Sequence, residues 1–156
     1  MERLYITNLT IETPKPPFLY HGSQYLFTEL LPHAACGEGA NDSILGIYAA
    51  ETPELVIPFA LPIRWYPDSP DGKRAFNASD GKTSLLYGSF NPQGGGYIYK
   101  VKSDSFYKVD DWQWVSPVKT IPVERMEIKV ADYMHTVTFS EAAYEIQQKL
   151  YPSIIL

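Results

Sequence analysis

The feature that most constrains the fold is the segment "FSEAAYEIQQKLY", because it is the one convincing helix in the sequence. Ser140 stands at its N-cap position, and Ala143, Ile146 and Leu150 recur on one stripe at helical spacing. We therefore predict a C-terminal helix over 140–151. Because no regular alternation of strands and helices precedes it, the pattern predicts an α+β fold rather than a parallel α/β sheet.

Short apolar runs bounded by turn residues predict most of the remaining elements as strands. The strands are expected in "PFLYHGS", "ILGIYAA", "SLLYGSF", "GYIYKVKSDSFYKV" and "WQWVSPVKTIPVERMEIKV", the last of these broken by Pro117 and Pro122. The rest of residues 62–96 is predicted to be turn-rich. The segment "QYLFTELLPHAACGEGANDS" indicates a short helix or turn followed by a surface loop.

Residues typical of a helix N-terminus appear in "ETPELVIPFAL", directly after the predicted strand "ILGIYAA". Thr52 can cap a helix with its hydroxyl, and Pro53 fits the first helical position. Pro58 has no N–H to donate, so it is expected to end or kink this helix after little more than a turn and a half.

Length and composition predict a single domain over residues 1–156, with 1–17 forming an N-terminal arm that ends in the extended segment "TPKPP". The net charge is −5 and the basic residues are scattered, which argues against a broad surface for duplex nucleic acid. No apolar run approaches the roughly 18 residues of a membrane span, and no signal-peptide pattern opens the chain. We expect a cytoplasmic protein without a membrane partner.

Cysteine and histidine usage argues against cross-links and metal sites. Cys36 is the only cysteine, so an internal disulfide and a thiolate-based zinc site are excluded. The three histidines are scattered, and no paired acidic spacing accompanies them. We therefore expect no metal, and we interpret His33 and His135 as surface or satisfied residues.

Three stretches carry candidate chemistry: "YHGS" (20–23), "IYAAETPELVIPFA" (47–60) and "WQWVSPV" (112–118). His21, at a strand end, can donate a hydrogen bond to a sugar hydroxyl. Gly22 leaves its N–H and C=O uncovered, so that a flat carboxamide can pair with both. Tyr48 offers a flat face for stacking an aromatic ring. Taken singly, a histidine before a glycine at a strand end is more often a turn residue than a site, and Tyr48 and Phe59 are more typical of core positions.

In their order and spacing, these stretches resemble motifs of the ADP-ribosyltransferase superfamily. The resemblance spans roughly residues 18–128 and implies split antiparallel sheets around an NAD-binding cleft, with few short helices. NAD is then the substrate. The residues that the resemblance assigns to NAD binding are His21, Gly22, Ser23, Tyr48 and Phe59, and those that it assigns to catalysis are His21, Tyr48 and Gln113.

The resemblance gives the individual residues distinct roles. His21 and Gly22 would anchor the nicotinamide riboside, while Ser23 would orient the second ribose or steady the turn. Phe59 follows Tyr48 by 11 positions, like the second aromatic in toxins of the diphtheria type, and would sandwich the nicotinamide ring. Gln113 occupies the slot in which the family usually has glutamate. Glutamine can hold the ribose hydroxyl but offers no full negative charge, and losing such a charge typically costs about 10²-fold or more in rate.

Several functions follow from this resemblance. The leading expectation is a bacterial or phage ADP-ribosyltransferase, toxin-like in character, that modifies a protein or nucleic-acid acceptor or hydrolyses NAD. One alternative is a catalytically degenerate module of the same fold that binds a nucleotide or peptide. Another is an enzyme like the tRNA 2′-phosphotransferases, for which the basic candidates are Arg64 and Arg74. A small structural protein, in which these residues merely pack, is the remaining alternative.

Overall fold

The computed structural model describes residues 14–33, 44–64 and 76–152. Short strands dominate this part of the chain and the helices are few and short, which confirms the predicted α+β class. The strands are β1 (Phe18–Ser23), β2 (Ile47–Ala49), β3 (Phe76–Ser79), β4 (Lys82–Leu85), β5 (Gly95–Lys102), β6 (Tyr107–Lys108), β7 (Trp114–Ser116), β8 (Glu124–Lys129) and β9 (Val137–Phe139). The α-helices are α1 (Ile57–Ala60) and α2 (Glu141–Leu150), and 3₁₀ helices cover Pro53–Val56, Val130–Asp132 and Met134–Thr136.

Within the described residues the strands form three small sheets, ordered β1-β5-β8, β2-β7-β6 and β3-β4-β9. The first two are antiparallel throughout, whereas β9 runs parallel to β4. One hydrogen-bonded pair joins the first sheet to the second: Tyr20 and Ala50 each donate to the other's carbonyl at 2.8 Å. Two strands predicted early in the chain, β1 and β2, therefore meet at a single rung.

The sheet β1-β5-β8 lies between two apolar clusters, because side chains alternate between its faces. Leu19, Tyr99 and Val101 face a cluster that also contains residues of β2 and β7. Ile98 and Ile128 face the other cluster, which includes Val56, Ile57, Ala60 and Leu61. The central strand β5 is therefore buried on both sides and fixes the position of β1.

Helix α2 confirms the predicted C-terminal helix and its cap, because the Ser140 hydroxyl accepts a hydrogen bond from the Ala143 N–H at 3.1 Å. The predicted apolar stripe is wrong at one end. Leu150 is 44 % exposed, while the polar Gln147 is fully buried. The Gln147 side chain donates to the Phe90 carbonyl at 3.0 Å and accepts from the Phe90 N–H at 3.2 Å, which satisfies it inside the core.

The helix predicted after β2 forms in two parts. Pro53 opens the 3₁₀ turn as predicted, but the Thr52 side chain makes no capping hydrogen bond. The chain changes to α-helix at Ile57, immediately before Pro58. Pro58 then lies in the first turn of α1, where a missing N–H leaves no hydrogen bond unmade. The predicted end at Pro58 is therefore wrong, because the helix continues to Ala60.

A hairpin of β3 and β4 lies in the stretch that was predicted only to be turn-rich. Asp80 and Gly81 connect the strands with positive φ values of 51° and 79°. Two central residues with positive φ define a type I′ turn, which matches the twist of paired strands and favours Asp-Gly. The segment 24–29 contains no helix and is followed by a bridge between Leu30 and Thr120, so of the two predicted alternatives a turn forms.

Several sequence predictions concern residues outside the described part of the chain. These are most of the N-terminal arm (1–13), the loop that contains Cys36, and Arg74. Residues 14–17, at the end of the arm, have no regular secondary structure. The single-domain assignment stays a prediction.

Candidate functional site

The candidate site lies where β1 and β2 separate after their one rung. The next pair in an antiparallel ladder from Tyr20 and Ala50 would join Gly22 to Tyr48. That pair does not form, and the Tyr48 carbonyl instead lies 2.6 Å from Nδ1 of His21. A side chain thus takes the acceptor that a backbone N–H would otherwise use, and the two strands diverge beside Gly22.

The ladder between β1 and β5 fixes the direction of the Gly22 backbone groups. Ser103 donates to the Pro17 carbonyl, so odd-numbered residues of β1 exchange hydrogen bonds with β5 and even-numbered ones point away. Tyr20 points away and bonds to Ala50. Gly22 points the same way, and no hydrogen bond of its N–H or C=O is found within the described residues. Gly22 is also partly exposed, so one donor and one acceptor stand together at this edge.

The packing of the 3₁₀ helix Pro53–Val56 against β1 also requires a glycine at position 22. A Cβ added there would lie 2.3 Å from the Val56 carbonyl oxygen and 3.2 Å from the Val56 Cβ. The 3₁₀ helix Pro53–Val56 therefore rests directly on the glycine. Because glycine has no side chain, Val56 can approach the backbone closely, and the N–H and C=O of Gly22 stay uncovered.

His21 is neutral in this environment. Burial lowers the pKa of its imidazole from the ordinary 6.5, and a nearby His33 lowers it further, while the bond to the Tyr48 carbonyl works in the opposite direction. A carbonyl only accepts, so Nδ1 carries the proton and Nε2 is left with a lone pair. We predicted that His21 would donate to a sugar hydroxyl. In the neutral ring Nε2 carries no proton, so it can accept a hydrogen bond but cannot donate one.

The aromatic ring of Tyr99 lies beside His21 on the same face of the sheet. Tyr99, directly opposite on β5, has its ring centroid 6.3 Å from that of His21. The Tyr99 hydroxyl accepts from the Phe27 N–H at 2.6 Å and donates to the Tyr25 carbonyl at 2.7 Å. Burial raises the pKa of this phenol, which keeps it protonated and able to donate. Tyr99 thereby fixes the loop after β1, a role that the sequence analysis missed although the alternation in "YIYKV" places the residue inward.

Ser23 is the last residue of β1, and its hydroxyl accepts a hydrogen bond from the Tyr25 N–H in the following loop at 3.1 Å. Of the two roles predicted for Ser23, this contact corresponds to steadying the turn.

The Tyr48 ring lies away from His21. Ile47 and Ala49 pack into the cluster shared with Leu19, and alternation directs Tyr48 to the opposite face of β2. Its hydroxyl accepts from the Ile44 N–H at 2.7 Å, which holds the ring along its own strand. No ring contact joins Tyr48 to His21 in the described part of the chain; their contact runs through the Tyr48 carbonyl.

Phe59 does not form a pair with Tyr48 in the described structure. Its ring stacks on Trp112, with centroids 6.1 Å apart and planes 18° from parallel, and meets the edge of Phe76 at 5.8 Å. The Phe59 side chain is 40 % exposed. The predicted sandwich of Tyr48 and Phe59 around a nicotinamide is therefore not preformed.

Gln113 is buried and tied to a neighbouring carboxylate. Its Nε2 donates to Oδ2 of Asp110 at 2.6 Å, and its backbone N–H donates to Oδ1 at 2.8 Å. The Trp112 N–H also donates to Oδ1, at 3.0 Å. Extending the β2–β7 register by one residue places Gln113 opposite Ala50. Ala50 is the residue that pairs with Tyr20 and so joins the two sheets. The Gln113 amide and the half-buried Asp110 carboxylate thus form one hydrogen-bonded pair.

Of the two basic candidates for a phosphate site, Arg64 is among the described residues. It lies apart from β1. Its backbone forms a bridge with Ser89 on another part of the chain. Nothing in the described geometry brings Arg64 beside His21.

Neither a metal site nor a membrane-spanning segment is found in the residues that the structure describes. No group of three or more His, Cys, Asp or Glu side chains there is placed to hold a metal ion. No helix among them is long and apolar enough to cross a membrane.

Comparison of the chain with protein-family models, with curated proteins and with solved structures finds no match.

Proposed function

We propose that the chain binds NAD in the manner of the ADP-ribosyltransferase-like class, with the nicotinamide carboxamide on the open edge of β1. The observation that carries this proposal is the outward-facing N–H and C=O of Gly22, which lack partners within the described residues. A carboxamide presents one acceptor and one donor, so it can pair with both groups at once. The loss of the Gly22–Tyr48 rung supports the proposal, because a continued ladder would occupy them.

His21 supplies the neighbouring contact. With Nδ1 committed to the Tyr48 carbonyl at 2.6 Å, the neutral ring presents Nε2 as an acceptor for a ribose hydroxyl. The same bond fixes the orientation of the ring before ligand arrives, which lowers the entropic cost of binding. In this proposal Tyr48 contributes through its carbonyl, and its ring would have to turn for stacking.

Because Gln113 is a neutral residue, the binding of NAD is better supported as the function than the transfer of ADP-ribose. A neutral amide gives weaker stabilisation to the sugar cation that forms as nicotinamide departs. The Gln113 Nε2 is moreover engaged with Asp110. We therefore propose a nucleotide-binding protein whose transfer of ADP-ribose to an acceptor, or to water, is slow.

The experiment that tests this proposal compares nicotinamide with nicotinic acid. Nicotinic acid carries a carboxylate that cannot donate to the Gly22 carbonyl, so we expect NAD and nicotinamide to raise the melting temperature and nicotinic acid to leave it unchanged. A ligand at a hundred times its Kd stabilises the folded state by about 2.7 kcal/mol, which a melting curve resolves. No shift at saturating NAD would rule the proposal out.

Variants localise any binding that is found. His21→Ala is expected to weaken NAD binding, whereas His135→Ala, at an exposed histidine of a 3₁₀ helix, is the matched control. Equal loss in both variants would show that binding lies elsewhere.

Transfer of ADP-ribose is the second candidate, and Asp110 is the observation that favours it. Its carboxylate lies at hydrogen-bond distance from the amide in the expected catalytic slot. Nicotinamide release by the wild-type protein, lost in Asp110→Asn with NAD binding retained, would assign catalysis to this carboxylate. Absence of release would leave binding as the function.

A further inference from the structure

Strand β8 forms the outer edge of the sheet β1-β5-β8 in the described structure. Val130 donates to the Gly94 carbonyl, so the even-numbered residues of β8 exchange hydrogen bonds with β5. Arg125, Glu127 and Lys129 therefore direct their backbone N–H and C=O groups away from the sheet. No hydrogen bond of these groups is found within the described residues. An edge of this kind is a template for a further strand.

We propose that a second copy of this chain pairs its β8 with this edge, antiparallel, about a two-fold axis at Met126. In such a ladder the outward-facing residues of one strand must pair with outward-facing residues of the other. A two-fold axis that pairs at least three β8 residues of each copy can then lie at Arg125, at Met126, at Glu127 or at Ile128.

Charge and the length of the ladder together select one of these four registers. An axis at Arg125 places two arginines opposite each other, and an axis at Glu127 places two glutamates opposite each other and Arg125 opposite Lys129. An axis at Met126 pairs Arg125 of each copy with Glu127 of the other, on the same face of the sheet. Directly opposed unlike charges stabilise a strand pair and like charges destabilise it. An axis at Ile128 also opposes unlike charges, Glu127 and Lys129, but it pairs only three β8 residues of each copy, whereas an axis at Met126 pairs five. The Met126 register is therefore the longest one in which the edge is complementary to itself.

The opposite face of β8 supplies an apolar contact at the same axis. Met126 is 48 % exposed, and beside it lies a cavity of about 350 Å³ lined by Tyr20, Ile98, Lys100, Glu124, Arg125 and Met126. Pairing at Met126 brings the two methionines together where the two cavities adjoin. The thioether side chain is flexible enough to fill such an irregular space. The assembly is one continuous sheet of six strands, with both Gly22 edges on its outer ends, so the proposal is independent of ligand binding.

Charge-reversal variants test the pairing by sedimentation velocity over a range of protein concentrations. We expect a concentration-dependent dimer for the wild type. Arg125→Glu and Glu127→Arg each oppose like charges at both symmetric pairs, and each is expected to raise the dimer Kd about tenfold or more. The double variant Arg125→Glu/Glu127→Arg restores the complementarity and should restore the dimer. A wild type that is monomeric throughout, or a double variant no better than the singles, overturns the proposal.

Disulfide trapping tests the register. Because Cys36 is the only native cysteine, Met126→Cys and Glu124→Cys are compared in a Cys36→Ser background. Residues at the axis form a non-hydrogen-bonded pair with Cα atoms about 4.5 Å apart, which a disulfide can span, whereas the two copies of position 124 are offset by four residues along the strands. We expect a covalent dimer only from Met126→Cys. Equal cross-linking by both variants, or none by Met126→Cys, overturns the register.

Discussion

Nδ1 of His21 donates a hydrogen bond at 2.6 Å to the Tyr48 carbonyl, which the Gly22 N–H would otherwise reach in a continued ladder. This contact gives the Tyr48 carbonyl of β2 its hydrogen-bond partner and places the proton of the neutral imidazole on Nδ1. It also leaves the Gly22 edge of β1 unpaired with β2. It requires a proton on Nδ1, which the neutral and the protonated imidazole can both carry, and burial favours the neutral ring by lowering the pKa of His21. The predictions below test this geometry and the two side-chain networks that support the fold around it.

The first prediction concerns pH. Because the folded-state pKa of His21 is lowered from 6.5, the unfolded chain binds more protons at this residue as the pH falls. The free energy of unfolding therefore decreases from pH 7 downward through 6.5, and this loss ends below the folded pKa. We expect urea midpoints measured across this range to fall less steeply in His21→Asn than in the wild type.

His135→Asn is the control for this series, since that histidine is exposed. If it flattens the pH dependence as much as His21→Asn does, the assignment to His21 is wrong.

The second prediction is that Gly22→Ala destabilises the protein. The added Cβ would lie 2.3 Å from the Val56 carbonyl oxygen, so backbone must move. Overpacking of this kind costs about 1–3 kcal/mol, measured by chemical denaturation. Gly94→Ala, where the nearest atoms would lie at 3.1 Å and 3.2 Å, is the milder comparison. Equal stability of Gly22→Ala and wild type would contradict the close approach of the 3₁₀ helix.

The third prediction concerns Gln113→Glu. Two carboxylates then face each other where the amide now donates to Asp110 at 2.6 Å. Like charges at this separation raise the apparent pKa of the pair, so the folded state holds a proton that the unfolded state releases. Stability should therefore fall as the pH rises through that pKa, which is the opposite sign to the His21 effect.

The double variant Asp110→Asn/Gln113→Glu provides the rescue for this network, because asparagine can donate to the new carboxylate. Its urea midpoint should recover and lose the added pH dependence. A double variant as unstable as Gln113→Glu at neutral pH would show that the repulsion is not the cause.

The fourth prediction is that Gln147→Met destabilises the protein by about 2–4 kcal/mol. The substitution nearly conserves volume but leaves the Phe90 N–H and C=O without their partners at 3.2 Å and 3.0 Å. Each unsatisfied buried group costs about 1–3 kcal/mol. Glu145→Met, at an exposed position of the same helix, should change the denaturation midpoint little.

Much of the fold was predictable from local patterns. Alternating apolar residues marked β1, β2 and β5, and the Ser140 cap marked α2, because these signals depend on neighbouring residues alone. The Asp80-Gly81 turn is also a local signal, because an Asp-Gly pair between two strands favours a type I′ hairpin turn. The burial of Gln147 was not predictable, because its partner Phe90 lies 57 positions away and only the tertiary structure pairs them.

The candidate site was predictable in its position along β1 but not in its geometry. The order of the motifs indicated that His21, Gly22 and Tyr48 lie near one another, and the His21–Tyr48 contact shows two of them together. Which atoms meet depends on how far a ladder continues, and the sequence does not specify that. Phe59 illustrates the limit, since Trp112 lies far along the chain and stacks on it.

The third sheet bears on how the chain acquires its structure. Strand β4 pairs with β9 across more than fifty residues, and Gln147 reaches back to Phe90 over a similar interval. During synthesis, the middle of the chain must therefore wait for the C-terminal segment to leave the ribosome before these contacts close. Such non-local pairing slows folding. A nascent chain that stops before β9 would leave β4 with an unpaired edge, which chaperones and proteases can bind.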